Sequence, residues 1–238
     1  MQRRHLVGVL AVFAASLAGA GGPAAGQTAP AAEPAGPRFV VTYVDVVPAS
    51  EAQALALLKG YRDAARRDHG NADSQIWQQN GVRGHFVIVE QWQDEASRKA
   101  HREAAHVAQF HEKFGPLRIS SYDERVHTSF AVGAPSSVPS GGAVLVATHI
   151  DITPPGLDKA REMLRSQAPA SRGEAGNLRF DILQGARQNH YTVLEAWRDD
   201  GARDAHLTAT RTRSYREGLR EQAVDGAPYD ERLYRLVP

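Results

Sequence analysis

The 238-residue chain carries 28 basic and 27 acidic side chains, ten histidines and no cysteine. A formal charge of +1 leaves no basic footprint for a nucleic-acid partner. Without thiols, the chain has no thiolate nucleophile, iron–sulfur cluster, Cys-based zinc site or disulfide support.

In chain order, residues 1–26 read as an export signal. Arg3 and Arg4 form the charged start, Leu6 to Leu17 the apolar stretch, and small residues follow. That stretch falls short of the roughly 20 residues that span a bilayer. Cleavage fits after Ala18-Gly19-Ala20 or, preferably, Ala24-Ala25-Gly26. Losing the two arginines takes the charge from +1 to about −1, and the mature protein is expected in the periplasm or secreted, without membrane contact. Residues 27–37 and 133–142 are Ala/Pro- and Gly/Pro/Ser-rich, a disordered tether and a linker.

Phe39 to Val47 is rich in β-branched residues and predicts a first strand. Ser50-Glu51-Ala52-Gln53 reads as a capping box opening a helix with Leu55, Leu58, Tyr61 and Ala65 on one face. Asp73 to Gln79 and His85 to Trp92 flank Asn80-Gly81 as a hairpin. Asp94 can then cap a second, Ala-rich helix running to about Lys113, and a last strand begins near Ile119. The second half repeats this order. Val144 to Ile152 is a strand, Pro154 opens a helix with Leu157, Ala160, Leu164 and Ala168, and Leu178 to Gln184 pairs with His190 to Trp197. Asp199 caps a helix to about Gly218, and a strand begins near Tyr229.

The duplication is visible residue by residue: HFVIVEQWQD from His85 matches HYTVLEAWRD from His190, about 105 positions on. Gly70-Asn71 matches Gly176-Asn177, and SYDER at Ser121 matches PYDER at Pro228. Two domains, 38–132 and 143–238, each of order strand–helix–strand–strand–helix–strand, predict two tandem ferredoxin-like βαββαβ units of class α+β. One layer of helices leaves the other sheet face bare, with Phe86, Ile88 and Trp92 or their neighbours one step along exposed on it. A covalently attached second copy can cover that face. The expectation is an intramolecular α+β barrel, monomeric in solution, with a cavity between the sheets.

Each half resembles an antibiotic-biosynthesis-monooxygenase domain of the dimeric α+β barrel group. The first half carries Val89-Glu90-Gln91-Trp92, Asp94-Glu95, Ala100-His101, His106 and Phe110. The second carries Leu194-Glu195-Ala196-Trp197, Asp199-Asp200, Ala205-His206 and Tyr215, with Arg211 where the second histidine would stand. The resemblance implies oxygenation of electron-rich phenols, quinols or anthrones by O2, without metal, flavin or other cofactor. Such chemistry needs a proton acceptor, donors for the substrate anion and dry walls.

The matched His101 and His206 are the candidate bases, against the simpler role of decorating a helix. Glu90 and Glu195 are the candidate buried carboxylates, against a strand-end ion pair. Trp92 and Trp197 would wall the pocket, and Asn71, Asn177, His106, Tyr122 and Tyr229 would touch substrate. Turn formation also explains both asparagines, and packing explains both tyrosines. His101, His106 and His111 stand five apart, a spacing that spreads them around a continuous helix and argues against a three-His metal site. A haem-degrading branch of the superfamily uses a helix His, a Trp and an Asn. His111 lies near the first of these, but the first strand offers Thr42 and Tyr43, not Asn. The rival reading is a non-catalytic small-molecule-binding or stress-response protein of the same fold.

Overall fold

The computed structural model describes residues 35–134, 138–139, 141–222 and 230–238. The expected export signal, most of the expected tether, part of the expected linker and Tyr229 therefore lie outside the described residues. The first half runs β1 (Arg38–Asp45), α1 (Glu51–Ala65), β2 (Asn71–Gln79), β3 (His85–Trp92), α2 (Glu95–Arg102), α3 (Ala105–Phe114) and β4 (Asp123–Ala131). The second runs β5 (Val144–Asp151), α4 (Leu157–Arg172), β6 (Asn177–Gln184), β7 (His190–Trp197), α5 (Asp200–Thr208), α6 (Thr210–Arg220) and β8 (Asp230–Leu236). Among the described residues no helix is long and apolar enough to cross a membrane.

The eight antiparallel strands close into one barrel in the order β1-β3-β2-β8-β5-β7-β6-β4. Within the halves, Val40 stands opposite Glu90 and Val146 opposite Glu195. The closing seams join the halves: Trp77 opposes Leu236 on β2–β8, and Ser129 opposes Leu183 on β4–β6. Closure satisfies the backbone groups that an open sheet would leave at its edges.

The middle of the barrel is filled, so the expected cavity between the sheets is divided: one opening lies beside the inward-facing Gln75, Gln91 and Asp181 at one end, and another beside His127, His149 and Thr192 at the other. Phe39, Val41, Trp77, Val87, Val89, Leu145, Ala147, Leu183, Leu194, Ala196 and Tyr234 form one buried cluster in that middle. Phe86 and Ile88 instead face outward, under Leu58 of α1 and Val107 and Phe110 of α3. Of the two sheet faces left open by the sequence, the neighbours one step along are thus the interior set. Both faces of each central strand are buried, so the strands are apolar without strict alternation.

Two local expectations also change. Ser50 makes no side-chain cap. Glu51 accepts from the Gly84 amide at 3.0 Å and from Gln78 and Arg83, tying the helix start to the β2–β3 turn. Asp94 and Asp199 do cap, accepting from the amides of Ser97 and Ala202 at 2.8 Å each. However, each second helix is broken in two: Ala104 (φ −68, ψ 143) and Ala209 (φ −59, ψ 135) are extended. Gly70 and Gly176 have φ of +77 and +82, and a Cβ there would overlap Ser97 and Ala202. Both the turn and the close approach of the following helix require glycine.

Candidate active site

The site lies on the outer face of the first half's sheet, beneath α1, α2 and α3. The parity that puts Val89 in the barrel puts Glu90 and Trp92 under the helices. α1 brings Tyr61 over Glu90, and α2, started by Asp94, brings His101 over the indole of Trp92 with ring centroids 4.5 Å apart. A cavity of about 400 Å³ opens beside them, lined by Val40, Tyr61, Glu90, Trp92, Arg98, His101, Arg102, Val107, His111, Tyr122 and Glu124.

The polar groups form a chain. Asp68 lies 2.6 Å from His101 Nδ1, which fixes Nδ1–H as donor and leaves Nε2 as acceptor. Nε2 is 2.8 Å from the Tyr61 hydroxyl. That hydroxyl is also 3.2 and 3.3 Å from the two oxygens of Glu90, so its single proton serves either Nε2 or the carboxylate. Tyr122 sits within hydrogen-bonding reach of Tyr61 and Thr42. Burial pushes Glu90 up to about 8, against a smaller lowering by the Tyr61 hydrogen bond. Burial also lowers His101, partly offset by Asp68, and lowers His111. Trp92 Nε1 is buried and has no hydrogen-bond partner among the described residues.

Glu90, Trp92, His101 and Tyr122 of the expected residues thus meet in one cavity. His106 does not line it; its Nε2 lies 3.2 Å from Asp68, behind His101. Asn71 opens β2 opposite Trp92, and its Nδ2 has no partner among the described residues. Asn177 Nδ2 donates to the Arg179 carbonyl at 3.1 Å, a turn role. Tyr61, Asp68, His111 and Glu124 join the site without having been singled out for it. Tyr61 was hidden in a helix-core pattern and Asp68 in a turn.

The second half keeps the scaffold and engages its polar groups with one another. His206 Nδ1 lies 2.8 Å from Glu174 and 3.3 Å from the Thr212 hydroxyl. Gln167 stands where Tyr61 does and donates to Ser171 Oγ at 3.0 Å. Trp197 Nε1 donates to Glu195 at 2.8 Å, and burial pushes Glu195 up to about 7. Arg203 and Arg216 both donate to Glu231.

A larger cavity, about 680 Å³, opens at one barrel mouth beside Arg125, His127 and His149. Several of its polar groups pair with one another, Arg125 with Asp123 and His149 and Thr192 with both histidines, while His127 Nδ1 has no partner among the described residues. Burial holds His127 and His149 down to about 4, so neither offers a cation near neutral pH.

The family model described as antibiotic biosynthesis monooxygenase matches the chain twice, over residues 37–113 and 143–218. The chain belongs to this family. It is 32% identical over 68 residues to "Putative monooxygenase YcnE" of Bacillus subtilis strain 168, covering 29% of this chain and 72% of that protein. A Fusobacterium nucleatum crystal structure, also titled a putative monooxygenase, superposes with a TM-score of 0.78 at 14% identity, covering 86% of this chain and 94% of that one. The crystal structure of an anthrone oxidase-like protein matches with a TM-score of 0.64 at 15% identity, covering 85% and 92% of the two chains. At such identities these structures establish the fold, the tandem barrel, and no more.

Proposed function

We propose that the first half oxygenates a small electron-rich aromatic, such as a quinol, with O2 and no bound cofactor. The observation that carries this is the run Glu90–Tyr61–His101–Asp68 beside a cavity that Trp92 also lines, its indole N–H lacking a partner among the described residues. A phenolic substrate gives up its proton to this run, and Asp68 offsets the charge that develops on His101. Trp92 Nε1 donates to the phenolate oxygen as negative charge grows there. The electron-rich anion then reduces O2: for a quinol, one O2 converts quinol to hydroxyquinone and water, with one oxygen atom retained in each product. Buried walls keep bulk water from the intermediate.

In this reading the second half is a structural partner whose His206 and Glu195 hold the helix layer in place. The chain is exported by its first 26 residues and works as a monomer, with the two halves paired as a dimer would be. Oxygen uptake with a panel of reduced quinols is the test. Wild-type uptake no faster than buffer autoxidation across the panel removes the oxygenase reading. A ligand-dependent rise in melting temperature without turnover then favours a binding protein.

A further inference from the structure

The break at Ala104 produces a grouping that a continuous helix forbids. Five residues of helix separate side chains by about 140°, yet the rings of His101 and His106 lie 5.5 Å apart. Both address Asp68. One ligand atom from each of Asp68, His101 and His106 lies within 4.8 Å of the other two. Asp68 explains the orientation of His101 by itself. It does not explain His106, whose Nε2 is buried and, although 3.2 Å from Asp68, is turned so that it forms no hydrogen bond among the described residues.

We propose that Asp68, His101 and His106 bind one divalent transition-metal ion of the zinc, cobalt or nickel class. Two imidazoles and a carboxylate suit such borderline ions. In a tetrahedral site with bonds of about 2 Å, ligand atoms stand about 3.3 Å apart. The His106–Asp68 separation of 3.2 Å already matches. The His101–Asp68 separation of 2.6 Å widens when a metal replaces the shared proton. The outer support is also in place, since the other nitrogen of His101 meets the Tyr61 hydroxyl at 2.8 Å. A cavity of about 390 Å³ reaches two of the three ligands, Asp68 and His101, and adjoins the break at Ala104. The second half cannot do the same. It keeps the acid and one imidazole, Glu174 and His206, but Arg211 brings a permanent cation where His106 brings a lone pair.

This site goes beyond the oxygenase reading but shares Asp68 and His101 with its proton relay, so a bound ion and the relay exclude each other; binding is therefore read directly, without turnover. The test titrates tag-free, metal-stripped protein with Zn²⁺ by calorimetry and with Co²⁺ by visible absorption. One equivalent per chain is expected, with a Co²⁺ spectrum of a four-coordinate nitrogen/oxygen site. Loss of a direct ligand should weaken binding no less than loss of a supporting group, at least about tenfold, in His106→Ala and in Asp68→Asn. His106→Gln, which keeps the side-chain bulk, should behave as His106→Ala does and separates lost ligation from lost packing. No binding by wild type overturns the proposal, and so does binding that none of the three substitutions weakens.

Discussion

The two halves share one backbone and have parted at the wall beneath their helices. In the first half Tyr61, His111 and Tyr122 line an open volume, and the Trp92 indole N–H has no partner among the described residues. In the second, Gln167 turns to Ser171, Arg203 and Arg216 turn to Glu231, and the Trp197 N–H is taken by Glu195. A buried polar group left without a partner is costly. The second half has removed that cost at its indole, though Thr148 Oγ1 beneath its helices has no partner among the described residues, and the first half has kept it at Trp92. The difference supports the proposal that the first half holds a ligand-directed arrangement and the second a structural one, though both retain the matched histidine.

The largest expected effect separates those histidines. His101→Ala should lower the rate of quinol-dependent oxygen uptake by about 100-fold or more, while His206→Ala leaves it within about twofold. Equal losses on an oxygen electrode would break the comparison. Next comes a pH effect on stability. Burial raises Glu195 from its ordinary range to about 7 in the fold, so the folded chain holds a proton that the unfolded chain releases near pH 4.5. The stabilisation is complete below the unfolded value and is lost as pH rises through about 7, on the order of a few kcal/mol. Glu195→Gln should flatten this decline in denaturant melts between pH 5 and 8. An unchanged slope would place the proton elsewhere.

A smaller contrast concerns the indoles. Trp197→Phe removes the donor to buried Glu195 and should cost about 1–3 kcal/mol of stability. Trp92→Phe breaks no such bond, so its main effect should fall on substrate oxidation. Unfolding curves and oxygen uptake measured on both variants decide this. Last, Arg211→His should supply the second half with its missing imidazole and raise Zn²⁺ stoichiometry from one to two. A titration that stays at one equivalent would show that the halves differ there in more than this side chain.

The fold was legible because the repeat is long and ordered, and because each half offers one face that needs a partner. The choice of face was not. β3 is apolar on both sides, Val87 and Val89 inward and Phe86 and Ile88 outward, so alternation carried no sign. The helix break was hidden because Ala104 is a strong helix former, and tertiary packing overrides propensity there. Glu90, Trp92 and His101 could be found by matching the halves, since all three recur. Tyr61, Asp68 and His111 could not be found that way. Tyr61 and His111 have become Gln167 and Arg216, Asp68 is Glu174, and their value to the site comes from contacts across the layer.

One consequence follows from the β2–β8 seam. Trp77 is walled by Leu236, Ile76 accepts from the Val237 amide at 2.9 Å, and Arg62 of α1 donates to the Val237 carbonyl at 3.0 Å. The amino-terminal lobe therefore gains this wall only when β8, contributed by the other half, has docked; until then the flank of β2 stays open to other strands.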